Sequence, residues 1–242
     1  PPVMAALGSL VTSSASGWSN LRKPIRDLLS KRGMYGVLDE AEAYLEEAYD
    51  FTESLWTREL EKISSIRLVL LSEAPLYGVE KSYIYNPTTP ITAFFHFNDL
   101  QALIPSICSE TLPTSVKAKK LLMIEHLREC GVVVLDVFPY ALNKGSTHIG
   151  YRQLKKSEYV DLLVRSIPDF LEQKLTAIKE KQELSPTFAY RYRKLEKDTG
   201  EFVAAAINRA SFDCRREDIS VIGGTNMSLD RGKLAEAYGR AT

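Results

Sequence analysis

Apolar and polar positions alternate along this chain in two rhythms. Leu38, Ala41, Leu45, Ala48 and Phe51 recur at helical spacing, with Asp39, Glu40, Glu42, Glu46, Glu47, Asp50 and Glu53 between them, so an amphipathic helix with a solvated acidic face is predicted there. Ile66–Leu71 is a β-branched apolar run closed by Ser72 and Pro75, and Val132–Val137 is a second; both read as buried strands. Thr187–Arg193 alternates like a third strand, and Ile219–Ile222 before Gly223-Gly224 is a short fourth. Helical patterns fall at Ile91–Leu103, Val116–Cys130, Ser157–Lys181 and Leu195–Ala210. Gly131 is a natural stop for the second of these, and Pro168 is placed to divide the third, whose N-cap would be Ser157. The first 20 residues, with Ser13-Ser14-Ala15-Ser16-Gly17, read as a loose terminus.

Strands separated by helical connections predict an α/β fold, a three-layer α/β/α arrangement around a central, mainly parallel four-stranded sheet. No repeat or linker divides the sequence, so residues 1–242 read as a single α/β domain, with 1–60 a helical extension packed on or preceding the sheet core. Its 242 residues are 45% hydrophobic, which excludes a disordered chain. No run approaches the roughly 20 uncharged apolar residues of a bilayer span, and no secretory leader is evident. Cys108, Cys130 and Cys214 are scattered without metal-ligand spacing, as expected of reduced cysteines in a cytoplasmic protein, or a nuclear one in a eukaryote. The net charge is zero, but unevenly so: residues 1–137 carry 13 basic and 17 acidic side chains, residues 138–242 carry 18 and 14. Any nucleic-acid contact would therefore fall on the second part.

In parallel sheets ligands bind beyond the carboxyl ends of the strands. Three such ends carry chemistry. Ser72-Glu73-Ala74-Pro75 puts a carboxylate at the sheet rim, where it either serves the site or caps a turn. Asp136 ends an apolar strand, so it must reach the crevice, find a partner or cap a loop. Gly223-Gly224-Thr225-Asn226-Met227-Ser228, followed by Arg231 and Lys233 before a helix, suits an anion such as a phosphate.

In this order, from about Ile66 to Arg231, these ends resemble the uracil-DNA glycosylase superfamily. Ser72-Glu73-Ala74-Pro75 is similar to its first motif, closest to the branch reading Gly-Glu-Ala-Pro-Gly, and Asn226-Met227-Ser228-Leu229 to its second, which commonly begins His-Pro-Ser. The resemblance implies a DNA partner, extrusion of a nucleotide, and hydrolysis of its base–sugar bond without metal or cofactor. Glu73 then stabilises the cationic sugar or activates water, and Asn226 meets the charge developing on the base. Asp136 stands where the family has an Asn reading the base edge. Tyr85 falls at about the distance of its stacking aromatic, with Asn86 a further base contact and Ser228, Arg231 and Lys233 the phosphate contacts.

The residues leave open a loop Tyr packed under proline and an Asn86 that caps its turn. Ser72 and Leu76 replace glycines of the closest branch, which predicts a narrower pocket floor. That branch holds an iron–sulfur cluster on four cysteines; three unsuitably spaced ones predict none. His96 and His126 read as structural or surface residues, and His148 is the one histidine placed near the site. The departures at Ser72, Leu76, Asp136 and Asn226 keep a second expectation alive, a catalytically silent binding protein on the same fold.

Overall fold

The computed structural model describes residues 14–90, 97–105, 113–181, 185–224 and 228–240. Four strands, β1 (Leu68–Ser72), β2 (Val132–Asp136), β3 (Thr187–Tyr190) and β4 (Ser220–Val221), form one sheet in the order β2-β1-β3-β4, every pair parallel. All residues of β1 and β2 are buried, because helices cover both sheet faces and no polar alternation is needed. Along the chain the strand order first steps one way, from β1 to β2, and then the other, from β2 to β3 and β4. Right-handed crossovers therefore place helices on opposite faces. α3 (Val116–Glu129) and α7 (Arg231–Gly239) lie on one face; α4 (Lys156–Ser166), α5 (Leu171–Lys181) and α6 (Arg193–Arg209) lie on the other. The fold is a three-layer α/β/α sandwich, as the pattern of runs predicts.

The chain enters through α1 (Ser14–Lys31) and α2 (Leu38–Lys62), which share the buried core of the strands. The loose terminus expected over residues 1–20 is corrected from Ser14 onward: Trp18 and Leu21 are buried on α1, and the Tyr140 hydroxyl donates to the Leu21 carbonyl at 2.8 Å. Apolar spacing from Trp18 through Ile25 to Leu29 carries that helix into the core despite the serine-rich start. α2 serves the edge of the sheet. β2 is an outer strand, and its Val134 carbonyl accepts from the Trp56 indole N–H at 3.1 Å. An edge strand's open polar groups need such partners when buried.

Several boundaries differ from the sequence expectation, three of them substantially. Of the helix expected over Ile91–Leu103, residues 91–96 lie outside the described residues and Phe97–Ala102 forms a 3-10 helix. The long helix over Ser157–Lys181 is two helices, α4 and α5, separated at Ile167–Phe170 around Pro168, and the α4 N-cap is Lys155, whose N–H donates to the Glu158 carboxylate at 2.8 Å. β3 stops at Tyr190 rather than Arg193, and α6 begins at Arg193. Gly131 has a left-handed φ of +67°, and a Cβ there would lie 2.3 Å from the Ser65 carbonyl oxygen, so only glycine lets the chain turn from α3 into β2 this tightly.

Candidate functional site

The register of the sheet decides what meets at its carboxyl edge. Ser72 at the end of β1 is paired with Asp136 at the end of β2, so Glu73 leaves the sheet one residue beyond that pair, where its carbonyl accepts from the Phe138 N–H at 3.0 Å. β3 and β4 end in the same plane, delivering Arg191-Tyr192-Arg193-Lys194 and Gly223-Gly224. These ends enclose a cavity of about 420 Å3 lined by Ser72, Glu73, Tyr83 and Asp136 on one side and Arg191, Arg193 and Lys194 on the other. Carboxylates and cations thus face each other across a cavity of small-molecule size.

Asp136 is buried, and that burial pushes its carboxyl up to about 6; the nearby Lys174 ammonium and the Ser72 and Tyr83 hydroxyls act in the opposite direction. Burial, and then the Asp136 charge, hold the Tyr83 phenol well above its ordinary value, so Tyr83 stays a hydrogen-bond donor to the carboxylate. Glu73 is oriented from the other layer. The Tyr159 hydroxyl of α4 donates to Glu73 Oε1 at 2.8 Å, Tyr159 packs on Phe138 with ring centroids 4.8 Å apart, and Lys194 Nζ stands 5.0 Å from the centre of its ring. Burial and the Glu73 charge raise the Tyr159 phenol, which keeps that donor protonated.

The cationic wall starts from Arg191, only 1% exposed. Its Nη1 donates to the Ser228 carbonyl at 3.1 Å and its guanidinium lies 4.9 Å from the Tyr192 ring centre. Burial lowers its affinity for the proton, yet an arginine so placed keeps its charge. Beside it α6 begins at Arg193, and its N-cap Tyr192 makes no side-chain capping hydrogen bond, so the first-turn residues that line the cavity add the positive end of the helix dipole. Gly223 permits this convergence, since a Cβ on it would meet the Arg191 carbonyl oxygen at 2.7 Å.

Of the sequence candidates, Glu73 and Asp136 are brought together in this cavity. Asn226 lies outside the described residues. Tyr85 does not line the cavity; it is buried at the sheet edge, where its hydroxyl accepts the Val134 N–H at 2.7 Å. Together with Trp56 it satisfies the outer side of β2, so the aromatic that this loop contributes to the cavity wall is Tyr83 instead. Tyr85→Phe is accordingly expected to cost about 1–3 kcal/mol by orphaning that amide, read as a lower midpoint in urea unfolding, while ligand affinity stays unchanged. A loss of affinity without a loss of stability would return Tyr85 to the site.

Asn86 is likewise consumed by its own loop: Nδ2 donates to the Lys81 carbonyl at 2.8 Å and Oδ1 accepts from the Thr88 hydroxyl at 2.8 Å and the Thr88 N–H at 3.1 Å. The three phosphate candidates stand apart from the cavity lining. Asp230 caps α7 by accepting the Lys233 N–H at 3.1 Å, so the chain's own carboxylate occupies the position expected for a phosphate. Arg231 Nε pairs with Asp99 at 3.2 Å, Lys233 Nζ lies 3.9 Å from Asp230, and Ser228 contributes its carbonyl to Arg191. Leu76 does not fill the floor: it stands exposed at the rim, and Ser72 lies beneath. His148 is exposed and lines no part of the cavity, and His96 and Cys108 fall outside the described residues.

Arg152, Arg191, Arg193, Lys194, Tyr83 and Tyr159 were not singled out by sequence. The signal for three of them was a basic cluster directly after a strand, hidden when Thr187–Arg193 was read as strand throughout. Among the described residues no group of three or more His, Cys, Asp or Glu side chains is placed to hold a metal ion, and no helix is long and apolar enough to cross a membrane. No protein-family model, no curated protein and no solved structure matches the chain.

Proposed function

We propose that the protein is a divergent uracil-DNA glycosylase-like enzyme that hydrolyses the N-glycosidic bond of a damaged or unusual base in DNA. The observation that carries this reading is the juxtaposition of Glu73 and Asp136 at adjacent strand ends, in one cavity, opposite a cationic wall. The extruded base enters between Tyr83 and Tyr192, and Asp136 reads its edge. An ionised Asp136 only accepts hydrogen bonds, so it favours an edge rich in N–H donors over the carbonyls of uracil. As the C1′–N bond breaks, its electron pair stays on the base while positive charge builds on the sugar. Glu73 stabilises that charge and takes a proton from the water that adds its oxygen to C1′. Asn226 is assigned the hydrogen bond to the departing base.

The test is a panel of oligonucleotides carrying uracil, hypoxanthine, xanthine and alkylated bases, scored for abasic sites. Release of at least one base is expected; release of none removes the enzyme. A second reading draws on the Tyr159 hydroxyl, which holds one oxygen of Glu73: a protein that binds a nucleotide in this cavity without cleaving it. Salt-dependent affinity with no abasic product would decide for it.

A further inference from the structure

A buried cation lies outside the cavity lining. Lys174, on α5, is 4% exposed and lines no part of the cavity. Its Nζ lies 2.6 Å from the Glu53 carboxylate of α2, 4.0 Å from the centre of the Trp56 ring and 4.8 Å from that of Phe170. Trp56 in turn donates to the Val134 carbonyl, and Val134 stands two residues before Asp136 on β2, on the same face of the strand. The ammonium is thus joined through one ring to the strand that ends in Asp136. Lysine is strongly hydrated and is seldom buried without a partner. Glu53 supplies one, yet a buried ion pair gains little over apolar residues of the same size, so a pair serving only itself is a costly way to fill this space.

Two carboxylates share this cation. The Lys174 charge favours the ionised form of Asp136 and the Glu53 charge opposes it, alongside the burial and the Ser72 and Tyr83 hydroxyls already described. Asp136 and Glu53 likewise both bear on the Tyr83 phenol. The phenols of Tyr85, Tyr151 and Tyr192 also feel the Asp136 charge; each is held above its ordinary value and stays neutral. The other charged side chains of the lining are Glu73, Arg152, Arg191, Arg193 and Lys194. We propose that Lys174 is a positioning residue for the cavity: it is the counter-cation of Asp136, acting from outside the lining, and Glu53 sets how much of its charge Asp136 receives. Resting on the reading of the cavity as a base pocket, this makes a pair of side chains outside that pocket a determinant of which base edge is accepted.

The experiment follows the Asp136 carboxyl directly, by 13C NMR of protein labelled at the aspartate side-chain carboxyl, from about pH 4 to about pH 9, with Asp136→Asn to assign the signal. Lys174→Met keeps an unbranched apolar side chain over Trp56 and removes the charge. It should make Asp136 bind its proton about tenfold more tightly, the scale of a close opposite charge. Glu53→Gln leaves the cation to Asp136 alone and should move the midpoint the other way. The double variant should fall between Lys174→Met and wild type, because Lys174 acts on Asp136 more strongly than Glu53 does. Lys174→Arg should stay near wild type, and so should Lys181→Met, about two turns further along α5. A Lys174→Met midpoint equal to wild type, or single variants that move in the same direction, overturns the counter-cation. If Lys174→Met does not fold, Glu53→Gln decides, and a midpoint unmoved or raised overturns it. These titrations need no ligand, so they hold whether or not any base is released. On the oligonucleotide panel, the pH at which release turns toward a uracil-like edge should follow the midpoint from variant to variant. Midpoints ordered as expected beside an unmoved selectivity leave the counter-cation standing and overturn the base-reading role of Asp136.

Discussion

Glu73→Gln is expected to lower the rate of base release by about a hundred- to ten-thousand-fold, the usual range for a positioned acid or base, while substrate affinity changes only a few-fold. The two parts of that expectation come from different atoms. Gln keeps the size of Glu and leaves a carbonyl oxygen to accept the Tyr159 hydroxyl, so the bond made at 2.8 Å to Oε1 can persist and the cavity wall keeps its shape. What Gln removes is negative charge opposite the sugar and the ability to take a proton from water. A role confined to the transition state therefore shows as a fall in kcat with KM nearly constant. Single-turnover kinetics on the best oligonucleotide of the panel would resolve it. If turnover survives unchanged, the carboxylate is structural; if KM rises in step with the fall in kcat/KM, Glu73 serves ground-state binding instead. Tyr159→Phe supplies the companion measurement. Losing only the orienting hydroxyl, it should reduce kcat by less than Glu73→Gln and add little to it in the double variant.

The sheet was readable from the sequence because its strands are buried on both faces. Continuous runs such as Val132–Leu135 have no other use in a chain of this composition, and the intervening helices require the crossovers that make the sheet parallel. Glu73 and Asp136 were readable for the same reason, since a carboxylate directly after such a run has to emerge at the rim. The cationic wall was not. Tyr190, Arg191, Tyr192 and Arg193 continue the alternation of β3 in residue type, while the backbone turns into α6 at Arg193. Periodicity registers side-chain pattern and is blind to where strand hydrogen bonding stops. The phosphate candidates are drawn into contacts of the chain's own: Arg231 pairs with Asp99, Lys233 lies by Asp230, and the Ser228 carbonyl accepts from Arg191. Tyr85 and Tyr83 are two residues apart in a loop without regular period, and only packing against the outer edge of β2 decides which of them faces the cavity.

Asp136→Asn is expected to make the protein more stable at pH 8, by up to about 3 kcal/mol, and to lose that advantage in acid. The carboxyl is pushed up to about 6 in the folded protein from an ordinary value of 3.8, chiefly by burial. Folding therefore favours the protonated form, and each unit of difference is worth about 1.4 kcal/mol. Above pH 6 the wild type carries the whole cost of an ionised buried carboxylate. As pH falls from about 6 to about 4 the folded state protonates first and the cost shrinks; below the unfolded value it is gone. The amide has no such term, and the Ser72 and Tyr83 hydroxyls beside it can reorient to serve its donor and acceptor. Urea unfolding of both proteins between pH 4 and pH 8 should show two curves that converge in acid and separate through the window from about 4 to about 6. A gap that does not vary with pH would mean that Asp136 is solvated or more strongly paired than its burial indicates. Under the proposed function, the same proton also bears on which base is preferred. A protonated Asp136, like an Asn, offers a donor as well as an acceptor, so wild-type selectivity should move toward a uracil-like edge as pH drops through about 6, and Asp136→Asn should hold that selectivity at every pH. On that proposal cost and specificity have one origin: a carboxylate kept dry to choose between base edges is expensive to fold around, and replacing it gains stability by giving the choice away.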